Sequence, residues 1–426
     1  MEGLRCAVVR ALGTGAGLVG CVVAAASLAA VWGCSDERGS AERAHEADVV
    51  SDVSGRDEHL VDPVEAGGGD DPVEDAVEDS RVPPEVEATQ DADDLEEELP
   101  FVVFAGTPRR DPRTTRLCEG WDTPDDLDDK VYVSCALEGE NVVPAPDPVP
   151  DELVVMTWNL ERGGSLDAQI ALLRDSEDVP RPDILLVSEV DRGCSRSGHR
   201  HVTRELAEAL EMNWVFVVEF VELPRGAGAG GRIDETCEHG NAVLSRFPLG
   251  NVGGAFHRSN RSWFLPPEQR ERGGEPRLGG RSWVRADTLV GTRRVSLWSV
   301  HFESDVGVLD VQVDQAVETA ELAIAHGGLA FVGGDFNSPG YWLDIARGAD
   351  GDPERVRDRT VGAFLTRGFF DPLRGQGRAE RSTRGALVLD FLLPNRDLLY
   401  DGTTCPVTIC TPNISDHQAV WARWRP

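Results

Sequence analysis

Seven short, largely apolar runs in this chain each carry an acid, an amide or an imidazole at one end. They are Leu153-Val-Val-Met-Thr-Trp-Asn159, Asp183-Ile-Leu-Leu-Val-Ser-Glu189, Gly240-Asn241-Ala-Val-Leu-Ser245, Leu297-Trp-Ser-Val-His301, Leu329 to Val332 leading into Gly334-Asp335-Phe336-Asn337, Ala386-Leu-Val-Leu-Asp390, and Ser415-Asp416-His417 before Ala419 to Trp424. Runs of this length read as strands, and a strand end holds a polar group more rigidly than a loop does. Any one of them alone reads equally well as a turn, so the series constrains the fold more than its members do. Asp335 and Asn337 lie two apart, which on an extended segment turns both toward one pocket.

Taken in order, the motifs resemble the endonuclease/exonuclease/phosphatase superfamily of metal-dependent phosphoesterases, over residues 151–426. The resemblance implies an α/β four-layer sandwich, with two mixed β-sheets packed face to face and helices outside. Periodicity by itself supports only an α/β chain. It predicts strands over Leu153–Thr157, Asp183–Val187, Trp214–Val221, Asn241–Leu244, Ser282–Leu289, Val295–Val300, Leu329–Val332, Leu387–Leu393 and Ala419–Trp424. Helices are expected where Leu166, Ile170 and Leu173 share a face, with Ser165 as N-cap, where Val202, Leu206 and Leu210 do, and over Leu309 to Ala325.

Cleaving a phosphate ester with water requires charge screening, an activated nucleophile and a stabilised leaving oxygen. Oxygen donors without a Cys or His cage suit Mg²⁺, or Mn²⁺ in its place. Glu189 follows four apolar residues and is the first candidate ligand, with Asn159 positioning the ion or its water and Asp416 either completing the site or polarising a neighbour. The resemblance makes Asp335 the group that orients or deprotonates the water, and Asn337 a donor to the phosphate. It pairs His417 with Asp390, an acid otherwise puzzling in an apolar strand, and this pairing would raise the imidazole pKa. His301 would contact the opposite phosphate oxygen or assist the leaving group. Asn241 and Arg281 are candidates for substrate binding. His239 and Asp191 are weaker ones, since Asp191 reads as a solvated loop acid. Ser188 stands where the family usually carries Gln.

Charge divides the rest of the chain. Residues 36–150 hold about 34 Asp and Glu against about 9 Lys and Arg, most of the net −33. Before Phe101 this stretch has few aromatics and is expected to be a disordered tether over 35–98. Residues 99–150 are expected to form a linker or a small disulfide-stapled extension, and 151–426 the catalytic domain. Ahead of the tether, Arg5 and Arg10 flank an uncharged stretch, Ala11 to Val31, shaped like an export signal over residues 1–34. Val31-Trp32-Gly33-Cys34-Ser35 resembles a bacterial lipoprotein cleavage box, which would lipidate Cys34. An uncleaved membrane anchor and ordinary secretion are the alternatives, and all three place the chain outside the cytoplasm.

Six cysteines remain after Cys6, Cys21 and Cys34, an even number that suits an oxidising compartment. Pairing between neighbours would join Cys118 to Cys135, Cys194 to Cys237 and Cys405 to Cys410. The stretch His257 to Arg285 carries Arg258, Arg261, Arg270, Arg272, Arg277, Arg281 and Arg285, with Trp263 and Trp283. It reads either as an arginine-lined loop for a polyanion or as a solvated insertion whose charge partly cancels.

A phosphodiesterase acting on nucleic acid is the leading expectation, with the same chemistry on a phospholipid head group or small ester as the alternative and an inactive binding module as a third. The inositol-phosphatase subgroup is disfavoured, because Leu389-Asp390-Phe391 stands where its Trp-Cys-Asp-Arg signature would be. Nothing points to an obligate protein partner, so a monomer is expected.

Overall fold

Alternation decides which way each strand presents its residues, because successive side chains on a strand point to opposite faces. The computed structural model describes residues 100–119, 134–224, 236–261, 263, 277–304, 309–349, 351–410 and 414–426. The expected export signal with Cys34, the acidic tether, Arg270 and Arg272 lie outside the described residues. Among the described residues no helix is long and apolar enough to cross a membrane.

The strands are β1 (Cys118–Glu119), β2 (Ser134–Cys135), β3 (Glu138–Glu140), β4 (Leu153–Arg162), β5 (Ile184–Arg192), β6 (Asn213–Glu222), β7 (Cys237–Ser245) and β8 (Leu249–Phe256). They continue with β9 (Arg277–Gly279), β10 (Ser282–Val290), β11 (Arg293–His301), β12 (Leu329–Asp335), β13 (Asp390–Pro394), β14 (Leu399–Thr404) and β15 (Val420–Trp424). The helices are α1 (Leu166–Asp175), α2 (Val202–Leu210), α3 (Leu309–His326), α4 (Tyr341–Ala346), α5 (Arg359–Leu365), α6 (Arg378–Arg381) and α7 (Val407–Cys410).

Eight strands form one sheet in the order β14-β15-β4-β5-β7-β6-β3, with β9 added on β6, and five form a second in the order β13-β12-β11-β10-β8. Each sheet is mixed: β4 runs parallel to β5 and β11 parallel to β12, while their other neighbours are antiparallel. The seam between them is apolar, with Leu153, Val155, Ile184, Leu186, Val215, Val217 and Val243 facing Val284, Ala286, Leu297, Phe331 and Leu392. Each such side chain stabilises the fold by about 1.5–3 kcal/mol on full burial. Outside, α1 and α2 cover the larger sheet through Met156, Trp158, Leu166 and Leu206. On the other side α3 and α5 cover the smaller sheet through Trp298, Val300, Ala316, Ala320, Val361 and Phe364. Two sheets and two helical coats make the four layers.

Toward one end the seam changes character without changing register. The next inward positions are Thr157 and Asn159 on β4, Ser188 on β5, Glu219 on β6, Asn241 on β7, Ser282 on β10, Ser299 and His301 on β11, Asp335 on β12 and Asp390 on β13, all buried. Cross-sheet hydrogen bonds begin there, with Ser299 Oγ donating to Val187 O at 2.9 Å and Asn241 Nδ2 to Ser282 O at 3.1 Å. Bulges then re-aim the strand ends. The β4–β5 register shifts between Asn159 and Arg162, the β5–β7 register between Val187 and Val190, and Glu161, Arg162 and Glu189 take positive φ.

Periodicity predicts none of β1, β2, β3, β9, β14 or α4 to α7, and three further elements differ from expectation. β8 is one of them, because its Gly250, Gly253 and Gly254 lower strand propensity. Gly250 is nevertheless required, since an added Cβ would meet Val102 O at 2.5 Å. The strand expected from Leu387 starts only at Asp390, because Leu387 closes a turn with Arg384. α1 follows Ser165, but the Ser165 side chain makes no capping bond. The disulfides are Cys118–Cys135, Cys194–Cys237 and Cys405–Cys410, the neighbour pairing.

Candidate active site

The polar end of the seam converges on Asp335. It receives a hydrogen bond from Asn159 Nδ2 at 3.1 Å across the two sheets. His417 Nε2 stands 3.6 Å and His301 Nε2 3.8 Å from the same carboxylate oxygen. His301 is the register partner of Asp335 on the parallel neighbour β11, and Asp390 its partner on antiparallel β13. His417 Nδ1 lies 2.7 Å from Asp390 Oδ2. The Ser415–His417 loop is tied to the end of β4, with Ser415 Oγ donating to Asn159 O at 2.8 Å and Trp158 Nε1 to His417 O at 2.9 Å. Five of the expected residues, Asn159, His301, Asp335, Asp390 and His417, thus meet in one buried constellation. Glu189 joins from its bulge, its Oε1 4.0 Å from His301 Nε2.

Asn337 takes a positive φ of 49°, and its Nδ2 donates to Phe302 O at 3.0 Å, leaving its second amide hydrogen. The two residues expected to bind substrate are placed otherwise. Asn241 is fully buried, its Nδ2 is engaged by Ser282 O and Oγ, and its Oδ1 has no partner. A phosphate oxygen needs a donor, so this amide serves the seam instead. Arg281 is 3% exposed, its Nη1 bonded to Glu219 Oε1 at 2.6 Å and His301 Nδ1 at 2.8 Å. Its role is to set the histidine: a guanidinium only donates, so Nδ1 accepts and the ring proton resides on Nε2, facing Asp335 and Glu189. Arg277 likewise turns inward to Glu222 at 2.9 Å, and Arg261 lies 3.7 Å over the Trp263 ring beside Arg281. Among the described residues, therefore, these guanidiniums brace the scaffold.

Two acids were missed. Glu219 stands behind His301, its Oε2 3.5 Å from Nδ1. Its signal was the one that marked Asp390, an acid inside an apolar run. Glu161 accepts from Asp416 N at 3.0 Å, and the Asp416 side chain pairs with Arg384 Nη2 at 2.8 Å.

Burial opposes charge at every one of these groups, and its outcome depends on the neighbours. Burial alone would lower the His417 pKa, but the charges of Asp390 and Asp335 outweigh it and push the imidazole up to about 10. Burial also pushes Asp390 upward. The imidazole is nevertheless the far stronger base of this 2.7 Å pair, so the proton stays on the ring. Glu219 is held at about 2 against its burial, first by the Arg281 guanidinium bonded to it. Glu189 is held well below the usual carboxylate range against its burial, first by the charge of Arg162 and also by that of His417. Glu161 is raised by burial and then by the like charge of Asp416.

These acids fit a divalent cation. Glu189 is anionic, partly accessible and one residue past Ser188, the register partner of Asn159, while Glu161 carries the strain of like charge that a cation relieves. A second trio, Asp335, Asp390 and His417, also has ligand atoms within 4.8 Å of one another. A protonated His417 bonded to Asp390 has no lone pair to give, which favours the Glu189 side.

Residues 156–417 match the Endonuclease/Exonuclease/phosphatase family. Among solved structures the chain is similar to an endonuclease/exonuclease/phosphatase from Beutenbergia cavernae, at 17% identity over 65% of this chain and 72% of that chain with a TM-score of 0.42. It is also similar to the human Nocturnin catalytic domain, at 13% identity over 64% of this chain and 93% of that chain with a TM-score of 0.43. A 3′ phosphatase, NExo from Neisseria, bound to product DNA hairpin, matches at 18% identity over 64% and 99% with a TM-score of 0.40. No curated protein matches the chain. With more than half of its length matched, the chain belongs to the endonuclease/exonuclease/phosphatase family of divalent-metal-dependent phosphoric ester hydrolases.

Proposed function

We propose that this chain is an extracytoplasmic phosphodiesterase that cleaves nucleic acid. The observation that carries the reading is the placement of His417 and His301, whose Nε2 atoms approach one oxygen of Asp335 from two sides at 3.6 and 3.8 Å. A phosphate between the two rings would meet a donor on each flank. Asp335, steadied by Asn159, is placed to orient the attacking water and take its proton. His417, cationic and anchored by Asp390, donates to the phosphate oxygen that gains charge. His301, with its proton on Nε2, faces the opposite oxygen or the leaving group, and Asn337 offers its second amide hydrogen. Glu189, with Asn159 and Asp416, would hold Mg²⁺ or Mn²⁺, whose charge would screen the phosphate.

Export is supported by the N-terminal sequence and by three disulfides. Lipidation at Cys34 or an uncleaved anchor would hold the enzyme at a membrane. A second reading, a phospholipid or small phosphate diester as substrate, is favoured by the inward turn of Arg277 and Arg281. The purified full chain, given plasmid DNA, RNA, sphingomyelin and bis-p-nitrophenyl phosphate with Mg²⁺ or Mn²⁺, decides between them. Plasmid nicking that EDTA abolishes is expected. Turnover of sphingomyelin or the small diester alone would move the assignment to the second reading.

A further inference from the structure

On β7 the seam-facing positions are Val243, Asn241 and then His239, so His239 lies beyond the buried amide, toward the mouth. Its Nδ1 is 2.8 Å from Asp191 Oδ1. Asp191, expected to be a solvated loop acid, is 1% exposed and gripped by Arg196, with Nε donating to Oδ2 at 2.7 Å and Nη2 to Oδ1 at 2.8 Å. Arg196 reaches on to Glu222 at 3.1 Å, which also holds Arg277. A carboxylate clamped in this way accepts from Nδ1–H, which fixes the ring's orientation and turns Nε2 away from Asp191. Phe220 stacks on the ring at 6.4 Å and 21°, fixing its plane.

The result repeats, on the β7 side of Glu189, what His417 and Asp390 make on the β13 side, with Nδ1-to-carboxylate distances of 2.8 and 2.7 Å. The β6 side of the mouth needs such a group. Glu189 and Glu219 are both anionic, held low against their burial first by Arg162 and by Arg281 respectively. A phosphate approaching that wall meets repulsion, and Arg281 is already committed to Glu219 and His301. Given the phosphodiesterase reading above, we propose that His239 contacts the substrate as an imidazolium, its Nδ1–H held by Asp191 and its Nε2–H donated to a phosphate oxygen on the β6–β7 flank, and that Asp191 and Arg196 are its positioning residues.

Calorimetric binding of inorganic phosphate in Mn²⁺, Mn²⁺ binding alone, and kcat and KM on bis-p-nitrophenyl phosphate test this in the full-length wild type, His239→Gln and Asp191→Asn. His239→Gln is expected to weaken phosphate binding and raise KM about tenfold, close to 1.4 kcal/mol, with Mn²⁺ affinity held. Asp191→Asn should shift both in the same direction by less, with the circular dichroism of the wild type. Unchanged phosphate affinity and KM in folded His239→Gln overturns the proposal, and so does a fall in Mn²⁺ affinity, which would make His239 a metal ligand. Should His239→Gln not fold, His239→Asn is judged by the same outcomes. A wild type that cleaves no diester but loses phosphate affinity on His239→Gln retains this inference and removes the reading on which it rests.

Discussion

Asp390 holds His417 by a 2.7 Å hydrogen bond from Nδ1 while standing opposite Asp335 in the sheet, so one buried acid both charges the imidazole and borders the proposed base. The arrangement keeps His417 cationic without exposing it to water. Its proton can be handed to a phosphate oxygen but not readily lost to neutral buffer, because the pKa lies near 10.

His417→Ala should therefore lower kcat by about 10² to 10⁴, the range of positioned acid catalysis. Asp390→Asn leaves the ring in place but removes its counter-charge, and a loss of about 10² in kcat with little change in KM is expected. Steady-state kinetics on a diester decide it, and an Asp390→Asn enzyme with wild-type kcat would dissociate the pair from the reaction.

Metal should stabilise the fold through Glu189. At a concentration about 100 times its Kd, Mn²⁺ is expected to add about 2.7 kcal/mol to unfolding in the wild type, and little in Glu189→Gln. Thermal melts with and without EDTA measure this. An equal Mn²⁺ shift in both proteins would place the ion elsewhere.

Acid should strip stability through Glu219. Its pKa is about 2 when folded against an ordinary 4.5, so its contribution is complete above pH 4.5 and is lost as pH falls toward 2. The span corresponds to on the order of 3 kcal/mol. Glu219→Gln should be less stable at pH 6 and show a flatter decline between pH 5 and 2 in urea melts. A variant that parallels the wild type throughout that window contradicts the assignment.

Gly334→Ala should disrupt β12. Gly334 has φ of 151°, and an added Cβ would lie 1.8 Å from Val300 O. Backbone must move, at a cost of about 1–3 kcal/mol, and Asp335 moves with it. The expected result is a large fall in melting temperature together with lost hydrolysis, and a variant with wild-type stability would show that β11 and β12 can separate locally.

Much of the site was legible because polar groups at strand ends are conspicuous against Val, Ile and Leu. Asn159, Glu189, His301, Asp335, Asp390 and His417 all stood out in this way. Where sequence failed, the deciding contact was distant in the chain. The role of Arg281 depends on Glu219, 62 residues away, and Asn241 is spent on Ser282, 41 residues away. Nothing local to either residue encodes that commitment. β8 was hidden for a different reason: Gly250 and Gly254 admit Val102 and Val217, neighbours that periodicity does not register.

The seam carries one more consequence. Because the site is the polar tail of the same alternation that builds the apolar core, β4, β5, β11 and β12 cannot slip by one residue without turning Asn159, Ser188, His301 and Asp335 outward along with Val155, Leu186, Leu297 and Phe331. Misregistered chains are therefore inert rather than partly active. Hydrolysis by this protein reports native strand pairing, and its specific activity doubles as a count of correctly folded molecules.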